Sequence, residues 1–231
     1  MQKRFFAHVL PAMLAFLFSG LYTIVDGFFI GQNMGDVGLA AINIAFPLAS
    51  VIQAVGTGIG MGAAVQIAIC RGEGDLRRER RLLGNTIALL TVATLVLTAA
   101  LMGLSRPILI LFGAQGQVLT AGLSYIRIIG LGAIFQLLGT GLTPLIRNYG
   151  GNFTAMAAMI AGFMTNIILD ALFVSAWGMG MAGAALATII GQGVTSAPCL
   201  ISLVPRLRGL GKGDCRPRRE ESSAILRVRC V

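Results

Sequence analysis

The sequence has little charge. Only 12% of its 231 residues are Asp, Glu, Lys or Arg, about half the fraction of an ordinary soluble domain. That shortage argues against a water-soluble chain of one or two domains. Its four cysteines (Cys70, Cys199, Cys215 and Cys230) have no CxxC or other metal-ligand spacing, so they predict unpaired thiols rather than a thiolate metal centre. The single histidine, His8, stands at the start of the first apolar run and reads as interfacial rather than catalytic. That first run follows Lys3 and Arg4 as a signal peptide would. It is too long for one, contains Pro11, and lacks a small-residue cleavage site before Asp26. It predicts a retained spanning helix.

What the chain does have is apolar length: 56% of its residues are hydrophobic. They fall into six runs, near residues 9–30, 39–69, 82–104, 119–145, 154–176 and 182–203. Each approaches the roughly 20 residues that cross a bilayer, and the second is long enough to tilt or project beyond the hydrocarbon. The expected fold class is therefore an all-α integral membrane protein, a bundle of six transmembrane helices over residues 1–204. A basic, glycine-rich cytoplasmic tail follows over 205–231, disordered or the start of a linker.

The net charge of +9 fits topology better than an acidic partner. "RGEGDLRRERR", between the second and third runs, carries five arginines, Arg147 lies between the fourth and fifth, and the tail is dense in basic residues. "GQNMGDVG" and "WGMGM" have none, and the remaining outer connection has only Arg106. By the positive-inside rule both termini are cytoplasmic in a multi-pass protein of the plasma (inner) membrane. The tail lacks the aromatic interleaving or module of a nucleic-acid site and reads as a solvated segment beside anionic headgroups.

Within the spans only Asp26 and Asp170 are acidic, and an ionisable residue at that depth is a functional candidate by default. Ser19, Tyr22, Thr23 and Asp26 form a polar stripe on the first helix. Ala155, Ala158, Gly162, Asn166 and Asp170 share a face of the fifth, and Ala184, Thr188, Gly191 and Thr195 a seam of the sixth. Asp26, Asp170 and Thr188 each lie about six residues from the outer end of their helix, roughly 9 Å deep. Two carboxylates, the Asn166 amide and the Thr188 hydroxyl make a hard-oxygen site for a monovalent cation, Na+ being the metal considered, or for a shared proton.

The alternative is that each Asp is satisfied by Tyr, Thr or backbone and serves packing. Asn43, Gln53, Gln66, Gln136, Asn148 and Gln192 are weaker candidates, each more often an interhelical hydrogen bond. Tyr125 and Arg127 read as interfacial anchors. "GTGIGMG", with Gly56, Gly58, Gly60 and Gly62, reads as close helix packing, or as a hinge in a moving helix.

Six stretches carry a family resemblance: "LYTIVDGFFIGQNMGDVGLAAINIAFPL", "GMGAAVQIAICRGEGD", "LFGAQG", "GLTPLIRNYGG", "TNIILDALFV" and "GMAGAALATIIGQ". Together, over about residues 5–204, the chain resembles the N-terminal lobe of multidrug and toxic compound extrusion (MATE) transporters, nearest the prokaryotic branch with DinF-like proteins. The resemblance implies one six-helix lobe of a twelve-helix transporter, which exports organic cations and other drugs in exchange for Na+ or H+ and uses no other cofactor. It implies a cation site of Asp26, Asn166, Asp170 and Thr188, with Tyr125 nearby, Tyr22 in support, and a contribution from the Ala184 backbone. The implied partners are small organic, cationic substrates, the lipid bilayer, and a missing second lobe or a second copy in a homodimer, with no nucleic acid.

One lobe supplies one wall of the drug cavity, since alternating access rocks one repeat against another. The expected function is therefore multidrug or metabolite efflux by antiport, present as its N-terminal half. The alternatives are a flippase for lipid-linked precursors of the same superfamily, or a non-transporting fragment from truncation or frameshift. The flippase would need several basic residues in its cavity. An enzyme is not expected: an intramembrane aspartyl protease resembles GxGD chemistry, and "IIL" without glycine precedes Asp170.

Overall fold

The computed structural model describes residues 2–207 and Ile225. Among the described residues there is no strand. The helices are α1 (Gln2–Glu73), α2 (Leu76–Leu111), α3 (Gly116–Leu131), α4 (Ala133–Asn148), α5 (Asn152–Asp170) with a π-helical extension (Ala171–Ala176), and α6 (Gly180–Leu207). In lipid the backbone must satisfy its own hydrogen bonds, and a helix does this within one segment.

Four continuous helices are long and apolar enough to cross a bilayer, and α3 with α4, bent by 59°, makes a fifth span. The apolar helix Leu17–Glu73 has 57 residues, roughly 86 Å at 1.5 Å per residue, nearly three hydrocarbon thicknesses. It therefore supplies two spans. The break is at Gly35, whose φ of 59° and ψ of −147° leave the helical region; a residue with a Cβ adopts that geometry only under strain. Here the chain folds back. A Cβ placed on Gly31 would lie 3.3 Å from the Leu39 side chain, whereas eight residues of straight helix separate their backbones by about 12 Å. The total is six spans, as the apolar runs predict.

Two features differ from the simplest reading of those runs. The fourth span is not straight: it breaks at Gly132, where an added Cβ would collide with the Ile189 side chain. The fifth ends in a π-helix, a form frequent beside functional residues, and it starts one residue after Asp170. On the other face, Gly74 (φ 76°) turns the chain into α2, whose first turn is capped by the Asp75 carboxylate accepting from the Arg78 backbone N–H at 2.9 Å.

Packing relies on small residues, because lipid offers no hydrophobic drive between helices. A Cβ on Gly60 would meet the backbone of Gly141, and one on Gly56 would meet Thr140 and the backbone of Leu137. Gly62 faces the backbone of Ile225. Gly58 faces nothing within 4 Å. Three of these four glycines thus serve close approach between elements. Large apolar side chains point outward along the first limb of α1 at helical spacing: Leu17, Leu21, Ile24 and Phe28 are all exposed, as a lipid-facing surface requires.

Cys70 and Cys199 are free and buried. Cys215, Cys230 and the side chain of His8 lie outside the described residues, as does the expected tail 205–231 except for the end of α6 and Ile225.

Candidate functional site

The α5 seam is buried along its length: Ala155, Ala158, Gly162, Asn166 and Asp170 are all buried, with Phe163 beside them. Glycine sets the spacing. A Cβ on Gly162 would collide with the Thr195 side chain and lie 2.6 Å from the Gly191 carbonyl oxygen; one on Gly191 would lie 2.7 Å from the Gly162 oxygen. The backbones of α5 and α6 therefore touch. Because the two helices run antiparallel, the next turn of α5 carries Asn166 to Thr188.

There Asn166 acts as a bracket. With its amide turned to satisfy both neighbours, Nδ2 donates to Asp170 Oδ2 at 3.2 Å and Oδ1 accepts from the Thr188 backbone N–H at 3.2 Å. The Thr188 hydroxyl donates to the Ala184 carbonyl at 2.9 Å, and the Tyr125 phenol lies beside it. Asp26 arrives from the first limb of α1, and its carboxyl lies beside that of Asp170. Tyr22, one turn before Asp26, is within electrostatic reach of both acids and stacks on Phe163 with ring centroids 5.1 Å apart and planes 5° apart.

All seven residues singled out from the sequence thus meet in one place. Asp170 is 0% exposed and Asp26 6%. Oδ1 of each has no hydrogen-bond partner, and buried polar atoms are rarely left so. Those two oxygens fit a proton or a hard monovalent cation, for which oxygen donors are the suitable chemistry. Among the described residues no three His, Cys, Asp or Glu side chains cluster as a metal-holding group.

One part of the expected donor set is arranged differently. The Asn166 oxygen is engaged by Thr188 and its nitrogen by Asp170, so it orients a carboxylate rather than facing the same point with its oxygen. Ala184 similarly acts through Thr188.

Tyr22, Tyr125 and Thr188 line a cavity of about 460 Å³, together with Gln53, Gln136, Thr140, Thr143, Arg147 and Gln192. Asp26, Asn166 and Asp170 do not line it. The acids stand behind a wall of two phenols and a hydroxyl.

The family model for MatE matches residues 11–172, most of the chain. The chain belongs to the MatE family. Among curated relatives, multidrug export protein MepA of Staphylococcus aureus (strain NCTC 8325 / PS 47) is 28% identical over 181 residues, covering 78% of this chain and 40% of MepA. Among solved structures, the outward-facing conformation of a multidrug resistance MATE family transporter of the MOP superfamily is similar with a TM-score of 0.87 and 26% identity. That likeness covers 95% of this chain and 49% of the other. A MOP superfamily transporter from Pyrococcus furiosus Vc1, whose binding pocket of reverse polarity suggests a different function for it, gives a TM-score of 0.83 and 26% identity over 95% and 49%.

This MatE chain therefore spans 40% of the MepA length and about half of each solved transporter. The match in fold and length is to one lobe of a membrane transporter, and these relatives are not enzymes.

Two sequence readings change within that lobe. Tyr125 is not an interfacial anchor: it is 6% exposed and sits against Thr188, because α3 ends at the bend and turns this face inward. Arg127, two residues on, is exposed. Among the weaker candidates, Gln53, Gln136 and Gln192 line the cavity. Asn148 donates to the Ala64 carbonyl at 2.7 Å, an interhelical bond.

Phe163 and Arg147 were missed as site residues. Phe163 carried no signal beyond one more apolar position on α5. The spacing of Gln136, Thr140, Thr143 and Arg147 on one helical face could have brought Arg147 into view.

Proposed function

We propose that this chain is the N-terminal lobe of an exporter that couples efflux of small organic molecules to inward movement of Na+ or H+. The cavity of about 460 Å³ is one wall of the substrate site. Asp26 and Asp170 are the coupling pair, Asn166 and Thr188 hold Asp170 in place, and Tyr22 and Tyr125 separate the acids from the cavity. The plasma membrane is the site of action, with both termini cytoplasmic, and the second wall comes from a second lobe or a second copy.

The observation that carries this reading is the pair itself: two buried carboxyls from helices distant in sequence, each with an oxygen lacking any partner. Packing alone would favour a neutral pair, because burying charge without compensation is costly. A site that takes up and releases one positive charge explains the arrangement. With a proton or Na+ between the acids the pair is partly neutralised. Without it, like charges are left in a low-dielectric setting and the pair is driven to refill. Tyr22 and Tyr125, set between pair and cavity, are placed to pass that change to the substrate side.

The cavity wall also favours this reading over a flippase for lipid-linked precursors. Among the described residues Arg147 is the only basic one that lines it, whereas a polyanionic headgroup calls for several.

The test is difference infrared spectroscopy of the purified chain in lipid nanodiscs, with Na+ titrated at fixed pH and then pH at fixed Na+. Carboxyl bands that respond to either ion in the unaltered protein, and disappear in Asp170→Asn, are expected. Bands indifferent to both ions would end the coupling reading.

A further inference from the structure

Among the described residues the cavity has a single cation in its wall, far from the acids along the chain. Arg147 lies in the last turn of α4 and is half-buried. Gln136, Thr140, Thr143 and Arg147 all line the cavity. They follow at three- and four-residue spacing, so they form one stripe roughly 16 Å long down that helix.

Topology and the α4 dipole both favour an arginine at this helix end. Neither explains its direction. Arg71, Arg77, Arg78 and Arg80, on the same side of the protein, are exposed, and Arg71 is further engaged by the Tyr149 ring and the Asn148 carbonyl. Arg147 turns inward instead.

Among the described residues its side chain has one hydrogen-bond contact, Met159 Sδ at 3.4 Å, and thioether sulfur is a weak acceptor. No described carboxylate pairs with it. A guanidinium has five N–H donors in a planar fork. A half-buried fork facing a cavity of neutral amides and hydroxyls is therefore short of an acceptor.

We propose that Arg147 is the anion-recognition residue of this cavity, and that the lobe takes amphoteric small molecules. Their carboxylate or similar group meets Arg147, and their cationic part lies toward Tyr22, Tyr125 and the acids behind them. The inference rests on the reading that the cavity holds the exported molecule, and it adds a polarity and a chemical class to that reading. The fork geometry suits a carboxylate held through two parallel hydrogen bonds, which lysine cannot reproduce.

Two probes with the same fluorescent core separate the possibilities: rhodamine 123, a cationic methyl ester, and rhodamine 110, the corresponding free acid. Equilibrium binding of each to the full chain in nanodiscs is followed by fluorescence anisotropy. The unaltered chain is expected to bind the free acid more tightly than the ester. Arg147→Gln should weaken the acid by about tenfold or more, the scale of a charge-assisted bond, and leave the ester within about twofold. Retained ester binding also reports that the variant has folded. Arg147→Lys should recover part of the loss. An unaltered chain that prefers the ester, or an Arg147→Gln chain that keeps its preference for the acid, would overturn the proposal while leaving the cavity as a cation site. Binding of neither probe to the unaltered chain would overturn the cavity reading and this inference with it.

Discussion

Asp26 on the first limb of α1 and Asp170 at the end of α5 bring their carboxyl groups together inside the bundle, each with Oδ1 lacking a partner. The contact exists because a chain reversal at Gly35 and a glycine seam between α5 and α6 set three helices around one point. The two acids should therefore behave as one site.

That unity is measurable. Asp26→Asn and Asp170→Asn should each lower the affinity for the coupling ion by about tenfold or more, by loss of a charge-assisted contact. The double variant should be little worse than either single one, because residues in one network do not add. Calorimetric titration of Na+, and of protons by pH jump, gives all four affinities. Losses that simply sum would mean that the two carboxyls bind independently.

Asn166 should matter for stability as well as binding. Asn166→Leu keeps the side-chain size but strips the partner from Asp170 Oδ2 and from the Thr188 N–H. Leaving buried polar groups unsatisfied costs about 1–3 kcal/mol each. Mixed-micelle denaturation should show a loss in that range, while Asn166→Asp should retain the partner for the Thr188 N–H and place a third carboxyl beside the pair. A stable, fully ion-responsive Asn166→Leu chain would remove Asn166 from the site.

The glycines of "GTGIGMG" offer a matched comparison. Gly60→Ala places a Cβ against the Gly141 backbone and should cost about 1–3 kcal/mol, the usual range for overpacking. Gly58→Ala meets nothing within 4 Å and should be neutral or slightly stabilising, since alanine is the better helix former. Thermal unfolding read by thiol-reactive dye, with Cys70 and Cys199 as buried reporters, would rank the two. Equal effects would contradict the packing reading of this segment.

Orientation can be tested at two exposed positions. In a cysteine-free background, Arg78→Cys should react with a membrane-impermeant maleimide only after the inner face is opened, and Gln117→Cys should react from outside in intact cells. The expectation follows from the arginines between α1 and α2. Outside labelling at Arg78→Cys would invert the topology.

Much of this was legible in the sequence for a definite reason. Apolar length is set by bilayer thickness, so six runs of about the right length already specify six spans. Helical period is equally rigid: the buried face of α5 is the face that Ala155, Ala158, Gly162, Asn166 and Asp170 define by spacing alone. The rarity of acids at membrane depth singled out Asp26 and Asp170 before any contact was known.

Tertiary structure decided the rest, because spacing along one helix says nothing about the rotation of its neighbour. That Asn166 orients Asp170 and engages Thr188, that Tyr125 turns inward past the bend at Gly132, that Phe163 lies flat on Tyr22, and that Arg147 faces a cavity all depend on how close two backbones come. That distance is set by which glycine meets which. Gly162 against Gly191 and Gly60 against Gly141 are long-range pairings, and a sequence of many small residues leaves their partners open until the helices pack.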